Sequence, residues 1–307
     1  MQYENPITVD RYRANGVCDF PSPKRYNTVY IDTNRNYDPS VKEHNYSKII
    51  YGDRDIAVLL IHGFNSSPFE VFFLGKEINK YGYTVMMPLI EGFGGSTEFA
   101  NRTKYPAWQE SFERSLDDLS QCYSKIVVAG FSLGGAIVTD YLLNRETRKT
   151  KIQSVVLLAP YYSTSIPFGK SINKISDMFT DSISIEALYR LSASEDLKIP
   201  ISNPDYYNSE MPIKAIKEIM KFGEKIRSTP VQSEQISLPA FLIYSEDDRT
   251  VDNKMSIKII SEHFKNLKIK KYEKSKKVRH QLAVPKGNVE FDELCKSVVD
   301  FIRDTCR

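Results

Sequence analysis

The chain has 307 residues, 41% hydrophobic and 26% charged, which suits one large domain with an insertion and excludes disorder as the default state. A net charge of +3 argues against a dedicated nucleic-acid binder. The longest apolar runs fall far below the ~20 residues that a membrane-spanning helix needs.

Residues 1–45 are polar and rich in Tyr, Asn and Pro, and read as an extension with one strand near 27–32. Their first residues lack the apolar core of a signal peptide. Four cysteines, Cys18, Cys122, Cys295 and Cys306, form no CxxC pair or zinc-like cluster. On one C-terminal helix Cys295 and Cys306 would stand ~16 Å apart at ~1.5 Å rise per residue, too far for a bridge. All four are expected to be free thiols, with a disulfide from Cys18 as the alternative. Free thiols favour the cytoplasm, and export would require that a signal had been removed.

From about residue 47 the pattern changes. Short strands are expected at 47–51 and 55–61, followed by a helix over 68–80 with Val71, Leu74, Gly75 and Ile78 on one face. A strand at 83–89 precedes a helix over 106–123, opened by Pro106 and carrying Trp108, Phe112, Leu116 and Leu119 at helical spacing. A strand at 125–130, a helix after Ser132 and a strand at 152–159 come next. After an interruption the alternation resumes with strands at 238–244 and 267–273 and helices at 252–264 and 289–303. Alternating strands and helices predict an α/β class with a mostly parallel sheet flanked by helices. The interruption, 161–235, includes the amphipathic run PIKAIKEIMKFGEKI and is assigned to a helical cap inserted between late strands. The domain reading is therefore an extension at 1–45, a core made of 46–160 and 236–307, and the cap.

The chemistry concentrates at strand ends. Gly130-Phe-Ser-Leu-Gly134 lies between a strand and a helix, where a sharp turn exposes the Ser132 hydroxyl and needs small residues on either side. A helix N-terminus behind that serine favours the negative charge that develops in acyl transfer. The strand at 55–61 runs into His62-Gly63-Phe64. His62 precedes Ser132 in the chain and reads as a structural residue that positions its loop. The strand at 238–244 is followed by Glu246, Asp247 and Asp248, a choice of carboxylates at a strand's C-terminal end, where α/β sites lie. Of the histidines His44, His62, His263 and His280, His44 lies in the polar extension and His263 in a helix at the surface or an edge. His280 follows the last strand and completes the order Ser, Asp, His. In triad logic His280 takes the Ser132 proton and the carboxylate orients the imidazole.

LLIHGFNSSPFE, PLIEGFGG, VVAGFSLGGA, MPIKAIKEI and SEDDRTV together resemble the α/β-hydrolase superfamily, and within it the bacterial carboxylesterases and monoacylglycerol lipases, over roughly residues 48–305. The resemblance implies an oxyanion hole made by the backbone N–H groups of Phe64 and Leu133, with Gly63, Gly130 and Gly134 in support. It favours Asp248 over Asp247 as the acid, because in this fold an apolar residue such as Val251 packs beneath the acid's loop. It implies a serine esterase or lipase-like enzyme acting on a small-molecule ester, with no metal or organic cofactor. The same triad also serves thioesterases, peptidases and carbon–carbon bond hydrolases, and a non-catalytic binding module is the alternative from another class. Two features depart from the family. Gly92-Phe93-Gly94 stands where Gly-His-Gly is usual, and the histidine loop SKKVRHQLA is unusually basic. The basic stretch 265–279 reads first as a solvated edge strand and second as a surface for anionic substrates or lipid. Neither the natural ester nor the oligomeric state is legible.

Overall fold

The described part of the chain opens with two short strands, β1 (Val9–Asp10) and β2 (Val29–Ile31), followed by β3 (Lys48–Ile50) and β4 (Ile56–Ile61). The structure is a computed structural model that describes residues 9–10, 28–33, 35–144, 150–165, 181–184 and 210–306. Next in order are α1 (Phe69–Asn79), β5 (Thr84–Met87), α2 (Thr97–Arg102), α3 (Tyr105–Cys122), β6 (Lys125–Phe131), α4 (Leu133–Asn144) and β7 (Ile152–Leu158). A separate two-stranded sheet joins β8 (Ser182–Ser184) to β9 (Glu210–Pro212), and β9 runs straight into α5 (Ile213–Arg227). The chain closes with β10 (Ala240–Ser245), α6 (Asn253–His263), β11 (Leu267–Tyr272) and α7 (Phe291–Thr305).

The main sheet has nine strands in the order β1-β2-β3-β5-β4-β6-β7-β10-β11. Only β3 runs antiparallel to its neighbours. Every residue of β4 and of β5 is buried, the pattern of parallel strands covered on both faces. Helices α1 and α7 pack together, as do α3 and α4. Trp108, Phe112, Leu116 and Leu119 of α3 are all buried, as their spacing predicted. At the far edge β11 exposes Lys268 and Lys271, charges that discourage pairing with another sheet.

The strand order fixes where a site can form. From β4 the chain steps outward to β5 on one side, whereas from β6 it steps to β7 on the other. The crevice at the C-terminal ends of β4 and β6 is thus a topological switch point, the usual binding place in open α/β sheets.

The strands and helices expected from periodicity form, with ends moved by one or two residues. Helix α2 and the β8–β9 sheet went unread. The strand expected near 27–32 is β2, and it belongs to the main sheet, so the polar extension supplies edge strands to the core fold. Of the proposed cap at 161–235, residues 166–180 and 185–209 lie outside the described residues. The expectation of free thiols is corrected at Cys122, which is disulfide-bonded to a partner outside the described residues. The cysteine count therefore gives no support to a reducing compartment. Cys295 and Cys306 are free and buried. His263, expected at the surface or an edge, is buried. No described helix is long and apolar enough to cross a membrane.

Candidate active site

Ser132 sits between the end of β6 and the start of α4 with a left-handed backbone, φ +52°. That conformation is unusual for a residue other than glycine and costs on the order of 1–3 kcal/mol. The surrounding structure holds it. The Ser132 N–H donates to the Leu158 carbonyl at 2.9 Å, and the Ser132 carbonyl accepts from Ala136 at 3.1 Å and Tyr161 at 3.0 Å. Its neighbours must be glycine for reasons of space. A Cβ on Gly130 would fall 2.3 Å from the Gly134 backbone, and one on Gly134 would fall 2.4 Å from the Ile61 carbonyl oxygen.

Ser132, His280 and Asp248 come together from three separate loops. Ser132 Oγ lies 2.9 Å from His280 Nε2, and His280 Nδ1 lies 2.8 Å from Asp248 Oδ2. A carboxylate can only accept, so Nδ1 carries the ring proton and Nε2 is left to accept from the serine hydroxyl. The other oxygen, Asp248 Oδ1, accepts from the N–H groups of Thr250 at 2.8 Å and Val251 at 3.1 Å. Val251 is buried under this turn. The Asp248 side chain is fully buried, whereas that of His280 keeps 11% exposure toward the crevice. The Phe131 ring lies 5.1 Å from the imidazole and limits its tilt.

Asp247 points elsewhere. It pairs with Arg249 at 3.5 Å and Arg279 at 3.4 Å, so it ties the acid loop to the residue before His280. Ser245 adds a second tie by donating to the Val278 carbonyl at 2.5 Å.

The loop after β4 lies over the serine, since a Cβ on Gly63 would fall 3.3 Å from Ser132 Cβ. His62 is wholly buried, and both its ring nitrogens are committed. Nε2 accepts from the Ile90 N–H at 3.1 Å, so Nδ1 is the donor to the Gly63 carbonyl at 2.8 Å. Burial pushes its pKa down to about 4, which keeps the ring neutral. The Gly63 N–H donates to Glu70 Oε2 at 2.6 Å, and this fixes the base of the loop. Among the described residues the N–H groups of Phe64 and Leu133 meet no acceptor. The Phe93 ring packs 5.4 Å from Phe64 and 5.6 Å from Trp108, so the Gly-Phe-Gly departure from the family supplies an aromatic wall.

Three contributors were missed from sequence: Glu70, Asn65 and Asn101. Glu70 could have been found, because it falls in the first turn of the helix that the loop enters, where a carboxylate can reach back. Asn65 and Asn101 contact residues distant in sequence and left no local signal. In the basic stretch 265–279 half of the cations are paired: Lys270 with Glu293, Lys271 with Glu246 and Glu273, Lys276 with Glu290, and Arg279 with Asp247. No cluster able to hold a metal ion occurs among the described residues.

Known proteins share this architecture. A thermostable monoacylglycerol lipase of Bacillus sp. (strain H-257) is 28% identical over 196 residues, 64% of this chain and 72% of that one. A carboxylesterase of Bacillus subtilis (strain 168) is 38% identical over 82 residues, 26% of this chain and 33% of that one. The solved structure of a soluble variant of the Saccharomyces cerevisiae monoglyceride lipase shares the fold. It has a TM-score of 0.70 at 18% identity, covering 93% of this chain and 99% of that one. The family model described as serine aminopeptidase, S33, matches residues 52–284, and the chain therefore belongs to that family of serine hydrolases with the α/β-hydrolase fold.

Proposed function

We propose that this protein hydrolyses carboxylic esters, with short or medium acyl chains or a monoacylglycerol as substrate, through a triad of Ser132, His280 and Asp248. The observation that carries the reading is the unbroken hydrogen-bond chain from Ser132 Oγ through His280 to Asp248, at 2.9 and 2.8 Å. Ser132 Oγ attacks the ester carbonyl carbon as its proton passes to His280 Nε2. The Asp248 carboxylate stabilises the imidazolium that forms. The developing oxyanion accepts from the Phe64 and Leu133 N–H groups, each such donor being worth ~10²–10³ in rate. Collapse expels the alcohol, protonated by His280, and leaves an acyl-enzyme. Water, deprotonated by the same imidazole, then releases the acid.

In this reading residues 161–235 form the cap that shapes the acyl pocket, and the likeness to a monoacylglycerol lipase supports the choice of substrate class. A second reading, peptidase, is favoured by the description of the family model. Against it, Asp247 beside the triad is engaged by two arginines and is poorly placed to hold a peptide's terminal ammonium.

The test is hydrolysis of p-nitrophenyl esters from two to sixteen carbons beside aminoacyl p-nitroanilides. Ester turnover that peaks at a short or medium chain and disappears in Ser132→Ala is expected. Equal ester activity in wild type and Ser132→Ala would overturn the reading, and faster anilide cleavage would favour the peptidase.

A further inference from the structure

We propose that Asn65 is a positioning residue that couples the seating of β9 and α5 to the placement of the Phe64 amide, and so to the rate of acyl transfer. The proposal rests on the reading of Phe64 as an oxyanion donor. Asn65 follows Phe64 directly, is 3% exposed and has a left-handed backbone, φ +55°. Its side-chain amide nitrogen donates to the Glu210 carbonyl and lies near the Met211 sulfur, both at 3.2 Å. Glu210 and Met211 belong to β9, which enters α5 with no loop between them.

α5 reaches the same peptide by a second route. Phe222 packs edge-on to Trp108 with ring centroids 6.1 Å apart, and Trp108 packs edge-on to the Phe64 ring at 6.5 Å. The segment 210–227 thus meets the loop through the Asn65 amide on one residue and an aromatic chain on Phe64, the residue before it. The base of the loop is fixed independently, by Gly63 on Glu70 and by His62 on Ile90. A shift of β9 and α5 is therefore taken up at Phe64 and Asn65. Hydrogen-bond donors aimed at a developing charge lose their effect steeply when displaced, so this peptide is where a small movement costs rate.

The test uses the full chain with Asn65→Gly, which removes the amide while permitting φ above zero, and Asn65→Asp, whose carboxylate would face the Glu210 carbonyl oxygen. The measurements are kcat and KM on a p-nitrophenyl ester, the rate of Ser132 phosphonylation by a fluorophosphonate, and amide hydrogen exchange. Asn65→Gly should lower kcat about tenfold with KM changed by less than about twofold. Phosphonylation should slow by the same factor, because the phosphoryl oxygen uses the same donors, and the pH profile should keep its shape. Exchange should quicken in 63–66 and 210–214 together. Asn65→Asp should lose at least as much. An unchanged kcat and phosphonylation rate in Asn65→Gly, or exchange that quickens in only one segment, would overturn the coupling. Should neither Asn65 variant fold, Asn101→Ala loosens the junction of β9 and α5 at Lys214 and Ala215 without touching the loop. It should also slow phosphonylation, and an unchanged rate there would count against the coupling. A wild type that is phosphonylated but cleaves no ester would sink the ester reading alone, with the coupling still decided by phosphonylation and exchange.

Discussion

Adjacent aspartates with opposite surroundings show how little of a side chain's role lies in its type. Asp248 has both oxygens occupied, one by His280 and one by two backbone N–H groups, while Asp247 bridges Arg249 and Arg279. In the proposed triad, Asp248→Asn presents either an amide N–H or a carbonyl to the ring and cannot stabilise the imidazolium. An amide that donates forces the proton onto Nε2, where it can no longer accept from Ser132. The expected loss in kcat is ~10⁴-fold, the scale known for the same change in a serine protease triad. Asp247→Asn keeps the shape of its turn and weakens only two partly exposed ion pairs, so kcat should fall less than about tenfold. Steady-state kinetics on one p-nitrophenyl ester checks both, and similar losses in the two variants would mean that the acid has been assigned to the wrong carboxylate.

Among the elements, α5 shows the limit of reading a chain locally. Of its apolar positions Ile213, Ile216, Ile219, Met220 and Phe222, all but the half-buried Met220 are buried, because a helix's periodicity is written in its own residues. Its start is not. Pro212 at the N-cap offers no side-chain acceptor, and Asn101 of α2 supplies one instead. Asn101 Oδ1 accepts from the N–H groups of Lys214 at 2.9 Å and Ala215 at 3.3 Å, and its amide donates to the Asp181 carbonyl at 2.6 Å. Asn101→Ala should therefore destabilise the protein by ~1 kcal/mol, the usual cost of a lost cap, measured by urea unfolding. No change in midpoint would mean that water replaces the cap fully. The same division runs through the site. Ser132, His280 and the strand ends that carry them were legible, because motif, chain order and strand–helix alternation are all local or sequential. From the residues alone Asp248 was one of several carboxylates, and it was the resemblance, through Val251 three residues on, that favoured it over Asp247, which the structure turns toward Arg249 and Arg279. Asn65 and Asn101 gave no sign, since a buried amide that bridges segments more than 100 residues apart looks in sequence like any polar loop residue.

At the scale of the whole molecule, the switch point that creates the crevice also requires polar groups to be buried beneath it. His62 at the end of β4 and Lys48 on β3 are both sealed from water. Lys48 is held by the carbonyls of His44 at 2.6 Å and Tyr46 at 2.8 Å, and burial still pushes its pKa down to about 7. For His62 the folded protein resists protonation down to about pH 4, chiefly by burial and further by the Lys48 charge. An unfolded chain takes up that proton near pH 6.5. Between these values the unfolded state binds more protons, so stability rises with pH and is lost as pH falls from 6.5 toward 4. The full difference is roughly 3 kcal/mol, a large part of the stability of an ordinary domain. Lys48 has the same sign in a higher window, from about 7 up to the ordinary lysine value, so the stability curve should keep climbing above neutrality. Urea unfolding at intervals from pH 4 to 9 should show that climb. His62→Gln, which can still accept from Ile90, should be less stable at pH 7 yet follow a shallower slope between pH 4 and 6.5. An equally steep slope in the variant would mean that His62 is not the group responsible, and Asp38 and Asp55, whose pKa values are lowered by their serine partners, could not supply it because their window lies below pH 4.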